Sequence, residues 1–256
     1  MRRRIAISLH ASLFLVTGLA LATTAVAATA ASNGRSRGHD VKFTTEWKLE
    51  DCVFADAGQN RFLVLEPGHE LRLAGDTKKG WKELTVTVLD ETRVIDGVRT
   101  RVVEEVERLD GAIVSLSRNF LAICAATSDV VTFGAEVDIS DDGAGGAIAE
   151  GSWAAGVNGA KPAILMPGTF MLGARHAVSL APNVSEDRAE NVAMNVSINT
   201  PAGSFEGAVE VLETTPLEPD AAIRPRNRSI RSYACPGRMR FGKSWNFSYW
   251  PRETTP

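Results

Sequence analysis

Hydrophobic positions recur every second residue over most of the stretch from Lys82 to Thr214. In Lys82–Leu89, Leu84, Val86 and Val88 alternate with Thr85 and Thr87, the period-two signature of a half-buried strand. Val94-Ile95, Asp96-Gly97 and Val98–Val103 then read as a hairpin. Asp-Gly accepts the two left-handed conformations of a type I′ turn. Asp110-Gly111 joins Val102–Arg108 to Ala112–Ser117 by the same chemistry. Phe120–Ala125 continues as a strand, Thr127-Ser128-Asp129 turns, and Val130–Val137 returns. These segments form a meander. Gly151–Val157 is a short apolar piece, and Pro162–Pro167 is apolar and bracketed by prolines, hence extended rather than helical. Phe170–Leu180 has room for one strand that contains His176. Ala189–Ile198 alternates again, Pro201-Ala202-Gly203 turns, and Ser204–Thr214 is the last clear strand before Thr215–Pro219 closes it. No stretch of the body keeps a helical apolar stripe beyond two turns. The expectation is an all-β fold, a single antiparallel curved sheet or open barrel of about ten strands, since that many strands must curl or close to hide their edges.

The first residues follow a different pattern. Arg2-Arg3-Arg4 precede a nearly continuous apolar run from Ile5 to Leu21, and Ala25-Val26-Ala27 supplies a small-x-small cleavage site. That order of charge, apolar run and small residues marks an export signal. The run is short for a bilayer span, which takes about 20 apolar residues. No later segment approaches that length, so no transmembrane segment is expected after cleavage. The expected organisation is a signal peptide over 1–27, a leader of small and polar residues over 28–40, a β-rich domain over 41–222 and a basic tail over 223–256. The chain is read as secreted or periplasmic.

Charge sharpens this division. The 256 residues carry a formal −3. Without Arg2, Arg3 and Arg4 that becomes −6, and the last 34 residues hold seven Arg and one Lys against one Glu, so residues 28–222 stand at −13. An acidic body argues against nucleic acid as a partner, because phosphate binding needs a cationic face.

No linear motif names a reaction. Nucleophile elbows, phosphate-binding loops, zinc spacings and dinucleotide fingerprints are absent from the sequence. His69 and His176 are the histidines inside the domain, and neither has a second histidine at ligand spacing. Each reads more simply as a surface or structural residue. Asp138, Asp141 and Asp142 offer hard oxygen ligands beside the Ser140–Gly146 loop, but without the spacing of a calcium loop. Glu104, Glu105 and Glu107 read as a solvated acidic surface. Trp81, Trp153, Phe120, Phe133 and Phe205 are spaced as core residues. No catalytic residue, cofactor or metal ligand is therefore expected.

Several segments taken together resemble an uncharacterised group of secreted bacterial β-rich proteins. The resemblance rests on Phe62–Gly68, on Thr85–Thr92 with Ile95–Val98, on Gly151–Ala160 running into Pro162–Pro167, and on Gly203-Ser204-Phe205 with Glu213–Pro219. It covers about residues 60–220 and implies one secreted β domain, with no activity attached. Members of the group end in a Tyr-rich strand, an Ala-Pro-Gly turn and a final alternating strand. This sequence departs from that ending after Ile223. Arg224–Arg228 and Arg238–Arg240 have no period, and the sign of the charge flips. Gly242–Glu253 written in G/C-rich codons and read from the third base gives Gln-Glu-Leu-Glu-Leu-Leu-Val-Leu-Ala-Glu-Gly, an alternating strand. Residues 223–256 are thus expected to be a frameshifted reading of the natural last strands. Cys235 would then be foreign to the domain, leaving Cys52 and Cys124 as a pair in an oxidising compartment. They form either a disulfide or two buried thiols.

The functional expectation is an exported β domain that binds a ligand or partner without catalysing a reaction, an apolar small molecule inside the curved sheet being one candidate. An enzyme whose residues converge from separate strands, such as a hydrolase, and a purely structural envelope protein are the alternatives.

Overall fold

The computed structural model of the chain describes residues 42–77, 79–138, 151–200, 203–217, 230–236, 240–241 and 248–249. All of them belong to one compact unit, Val41–Pro256; the other unit, Met1–Asp40, holds the expected signal and leader and lies outside the described residues.

After a single 3-10 turn at Leu49–Asp51, the described residues are strands and their connections. β1 (Phe54–Ala55), β2 (Gly58–Asn60) and β3 (Leu63–Leu65) are short. β4 (Glu70–Thr77), β5 (Gly80–Ile95), β6 (Val98–Leu109), β7 (Ala112–Cys124) and β8 (Val130–Asp138) form a continuous meander. β9 (Trp153–Ala154) and β10 (Ala163–Met166) return along β8. Then come β11 (Arg175–Ala177), β12 (Arg188–Thr200), β13 (Gly203–Thr214), β14 (Ile230–Ala234), β15 (Arg240–Phe241) and β16 (Ser248–Tyr249). The large sheet has nine strands in the order β10-β8-β7-β6-β5-β4-β16, with β1 on β7 and β9 on β8. A five-stranded sheet runs β11-β12-β13-β14-β15, and β2 pairs with β3 alone. Every pairing between these strands is antiparallel.

Among the described residues the fold is all-β with no closed barrel, and the strands divide over three sheets rather than one. The division follows from burial. In β6, Thr100, Arg101, Val102 and Val103 are buried in succession, as are Phe120–Cys124 in β7. Consecutive burial means that both faces of the sheet are covered there. One face packs Leu71, Leu73, Val86, Val88, Val103 and Leu121 against Val178, Ala189, Val209 and Val211 of the second sheet's segments. The opposite, outer face packs Val102, Phe120, Val131 and Phe133 under Trp47, Leu49, Phe54 and Ile164. Side chains of both sheets therefore occupy the space over the inner face, where the sequence reading put an apolar ligand.

Local turn chemistry behaves as the sequence pattern predicts. Asp96 and Gly97 take φ of 50° and 77°, and Asp110 and Gly111 take 50° and 86°. The Phe170–Leu180 segment is strand only at Arg175–Ala177. Met171 and Gly173 are held in a turn there, Ala174 N–H donating to the Met171 carbonyl (3.2 Å). β4 was not signalled by the pattern read above, although Leu71 and Leu73 alternate with Glu70 and Arg72. Beyond residue 222, β14 pairs with β13 from Val209↔Ala234 to Glu213↔Ile230, and β16 pairs with β4. Main-chain pairing needs no side-chain period, so a stretch without alternation can still add strands. The other residues of the tail, and the Ser140–Gly146 loop with Asp141 and Asp142, lie outside the described residues.

Candidate functional site

Cys52 and Cys124 lie with their sulfur atoms at disulfide-bonding distance and their Cα atoms 5.3 Å apart. The pairing of β1 with the end of β7, Phe54↔Cys124, places them there. Next along the chain, Asp56 accepts from Arg101 Nη2 (2.7 Å) and from Arg99 Nη2 (2.8 Å), and its carbonyl accepts from Arg101 Nε (2.9 Å). Burial pushes the Asp56 carboxyl up, but the Arg99 hydrogen bond, a backbone hydrogen bond and the two guanidinium charges outweigh it and hold it below the usual carboxylate range. Arg101 is buried and spends its donors on Asp56, Asp90 and the Leu89 carbonyl. This cluster fastens the segment after β1 to the start of β6.

The other expected residues are not brought together as a site. His69 precedes β4, its carbonyl accepting Val88 N–H (2.9 Å). His176 is buried in β11, in the other sheet. The acidic run of β6 departs from the expected free acidic surface. Glu104 pairs with Arg118 (3.1 Å), Glu105 accepts from Asn119 Nδ2 (3.1 Å), and Glu107 pairs with Lys82. Each carboxylate meets a partner from the neighbouring strand because the register sets Glu104 opposite Arg118 and Glu105 opposite Ser117.

A second polar cluster joins the Ser179–Asp187 loop to the end of β13. Ser179 Oγ accepts from Asp187 N–H (2.8 Å) and from Ser185 Oγ (2.8 Å). Burial pushes the Asp187 carboxyl above its ordinary range; a hydrogen bond from Thr215 opposes this, the Glu213 charge adds to it, and bonds to Ser185 and Ser179 oppose it. Two serines and a carboxyl in contact suggest nucleophile chemistry. The serine oxygens, however, serve main-chain and loop bonds.

The aromatics Phe120 and Phe133 are buried as expected, and Trp153 and Phe205 are half-buried. Trp81 is the exception, 40% exposed. It sits at the start of β5, on the outer face of the large sheet, beyond the residues that the N-terminal segment covers among the described ones. Partners across an antiparallel ladder share a face, so the outer face continues from Val102 and Phe120 through the row Thr85–Val106–Leu116 to Glu83–Arg108–Ile113. Ile113 reaches that face through a bulge. The register passes from Glu107↔Ser115 to Arg108↔Ile113, with Val114 as the extra residue. Ile113 is 38% exposed. The tip is held rigidly: Asp110 Oδ1 accepts Trp81 N–H (2.9 Å), and Asp110 N–H donates to the Trp81 carbonyl (2.7 Å). The Asp110 carboxylate occupies the place a Cβ would take on Gly80, whose φ is 132°. Only glycine permits that approach. Cations at the rim are mostly neutralised, Arg118 by Glu104 and Arg72 by Glu70 (2.6 Å), with Glu83 adding to the field on Arg72. Half-buried Arg108 makes no ion pair among the described residues. Apolar centre, indole, guanidinium and charged rim together are the composition of a protein-binding patch. The sequence reading missed it because it counted Trp81 as core; the flanking Gly80, Lys82 and Glu83 were the available signal.

No family model matches the chain, and no curated protein matches it. Among solved structures it is similar to a "putative lipoprotein" from Parabacteroides distasonis ATCC 8503, at 10% identity over 73% of this chain and 95% of that one, with a TM-score of 0.27. At that TM-score the likeness supports no conclusion about fold or function.

Proposed function

We propose that this chain is an exported protein, secreted or periplasmic, that works by binding a macromolecular partner through the outer sheet face around Trp81 and not by catalysis. The observation that carries the reading is the exposure of Trp81 and Ile113 at the tip of that face among the described residues, with Arg108 between them in the ladder. Export rests on the N-terminal charge, apolar run and small-residue order, and the cysteine pair suits an oxidising compartment. The resemblance of residues 60–220 to secreted bacterial β proteins belongs to the same reading.

The test uses the full chain with its own leader in a Gram-negative host. The expected product is found outside the cytoplasm, shortened by about 27 residues and lighter by two hydrogens than its reduced form. Native mass spectrometry of the mature protein and of Trp81→Ala, each mixed with envelope extract, should show bound protein only for the former. An uncleaved cytoplasmic product would refute export. Hydrolysis of p-nitrophenyl acetate that Ser179→Ala abolishes would make the chain an enzyme instead.

A further inference from the structure

We propose that Lys42–Val53 is a strap, held shut by the Cys52–Cys124 disulfide and released by a dithiol. At its start the strap adds to the edge strand β11. Thr44 N–H donates to the Arg175 carbonyl (3.0 Å), and Ala177 N–H donates to the Thr44 carbonyl (2.9 Å). The Arg188 guanidinium lies over the Phe43 ring (5.4 Å). At its end the Val53 carbonyl accepts Ala125 N–H (3.0 Å). Between these points Trp47 and Leu49 pack on the outer-face cluster that contains Val102, Phe120 and Phe133. The other main-chain bonds of the strap among the described residues are its own, Asp51 N–H to the Lys48 carbonyl and Cys52 N–H to the Leu49 carbonyl. No strap residue is buried: Phe43, Trp47, Leu49 and Cys52 are half-buried and the others exposed. Segments with so few buried contacts open locally at low cost. The covalent tie at Cys52 is what keeps this one closed. The chain just beyond it has separate anchors, since β1 pairs with β7 and Asp56 is bonded to Arg99 and Arg101. Opening therefore stops at β1. The two sulfurs are unequally accessible, Cys124 being 1% exposed and Cys52 half-buried. An incoming thiolate attacks the Cys52 sulfur and forms a mixed disulfide there, while Cys124 leaves as a thiolate and takes up a proton. The second thiol of the reagent then displaces Cys52, so two electrons pass to the pair and the reagent ends as its own disulfide. Release bares Phe120 and Phe133 and takes Thr44 from the edge of β11.

The experiment follows hydrogen exchange by mass spectrometry in the mature full chain in three forms: oxidised, reduced with dithiothreitol, and as Cys52→Ala/Cys124→Ala. In the oxidised protein the amides of Thr44 and Ala177 should be protected. In the other two forms they should exchange at least about tenfold faster, while the ladder amides of β5 to β8 stay protected at the same times. Trypsin should cut after the exposed Lys48 at least about tenfold faster in those two forms. Reoxidation should restore the closed pattern in the wild type and leave the double variant open. Glutathione, a monothiol, should be trapped on Cys52; a mixed disulfide on Cys124 overturns the assigned point of attack. Unchanged exchange at Thr44 and Ala177 on reduction overturns the proposal, as does a strap already unprotected in the oxidised protein. Loss of protection in β5 to β8 together with the strap overturns it as well, because the bond would then hold the whole fold and not a strap.

Discussion

Replacing both Cys52 and Cys124 by alanine should cost about 4 kcal/mol of stability. The two residues are separated by 72 positions and close a loop containing β1 to β6 and nearly all of β7. In the chain-entropy treatment a crosslink over such a loop removes about 15 cal/mol/K from the unfolded ensemble, or about 4.4 kcal/mol at 25 °C. The native state should survive the change. Asp56 remains bonded to Arg99 and Arg101, and Phe54 still meets Phe133 edge-on with ring centroids 5.2 Å apart. Alanine is the better replacement because Cys124 is fully buried, and a serine hydroxyl there would add its own desolvation cost. For a domain of this size the loss corresponds to a fall in Tm of roughly 9–18 °C. Urea melts of the oxidised wild type, the double variant and the wild type in excess dithiothreitol measure it. The two perturbed forms should unfold at the same urea concentration, well below the oxidised protein, with similar slopes. Agreement of all three curves within about 1 kcal/mol would refute the reasoning and mean that the sulfurs do not bond in solution.

Asp56→Ala should cost about 3 kcal/mol in the same melts, because it strips a buried guanidinium of its carboxylate. The double variant Asp56→Ala/Arg101→Met should recover much of that loss, whereas strict additivity would show that no unpaired charge was involved. Asp187 gives a pH signature of the opposite kind to an ordinary ion-paired carboxylate. Its pKa is raised in the fold, so folding favours its protonated form. Its contribution is greatest in acid and is lost as pH rises from the ordinary carboxylate range through its raised value. Asp187→Asn should therefore stabilise the protein at neutral pH and flatten the dependence of urea midpoint on pH between 4 and 8; equal destabilisation at every pH would contradict this. Gly80→Ala should lower stability by about 1–3 kcal/mol and broaden the Trp81 fluorescence band, since a Cβ there displaces the Asp110 carboxylate and the backbone lies in the glycine-favouring region.

What the sequence made legible was governed by neighbours in the chain. Asp96-Gly97 and Asp110-Gly111 are turns because their own conformational preferences make them so, and the alternation of Leu84, Val86 and Val88 follows from the pleat alone. The number of sheets was not legible in this way. Nothing local distinguishes Ala163–Met166, which returns to β8, from Arg175–Ala177, which opens a second sheet with β12. That choice is made by long-range burial: Val209 and Val211 share one buried cluster with Val86 and Val103, residues that lie more than 100 positions earlier. Period two also says which residues share a face, but not what covers it. The outer face reads alike at Val102 and at Val106, yet Phe54 and Trp47 pack on the cluster containing the first, which is buried, while the second is half-buried. Where that cover stops, the same alternation that builds a core leaves Trp81 and Ile113 in solvent. A bulge at Val114, which no composition rule announces, is what turns Ile113 toward Arg108. The candidate site is thus made of ordinary strand residues, and its character comes from the absence of a neighbour among the described residues, a property that no stretch of sequence carries by itself.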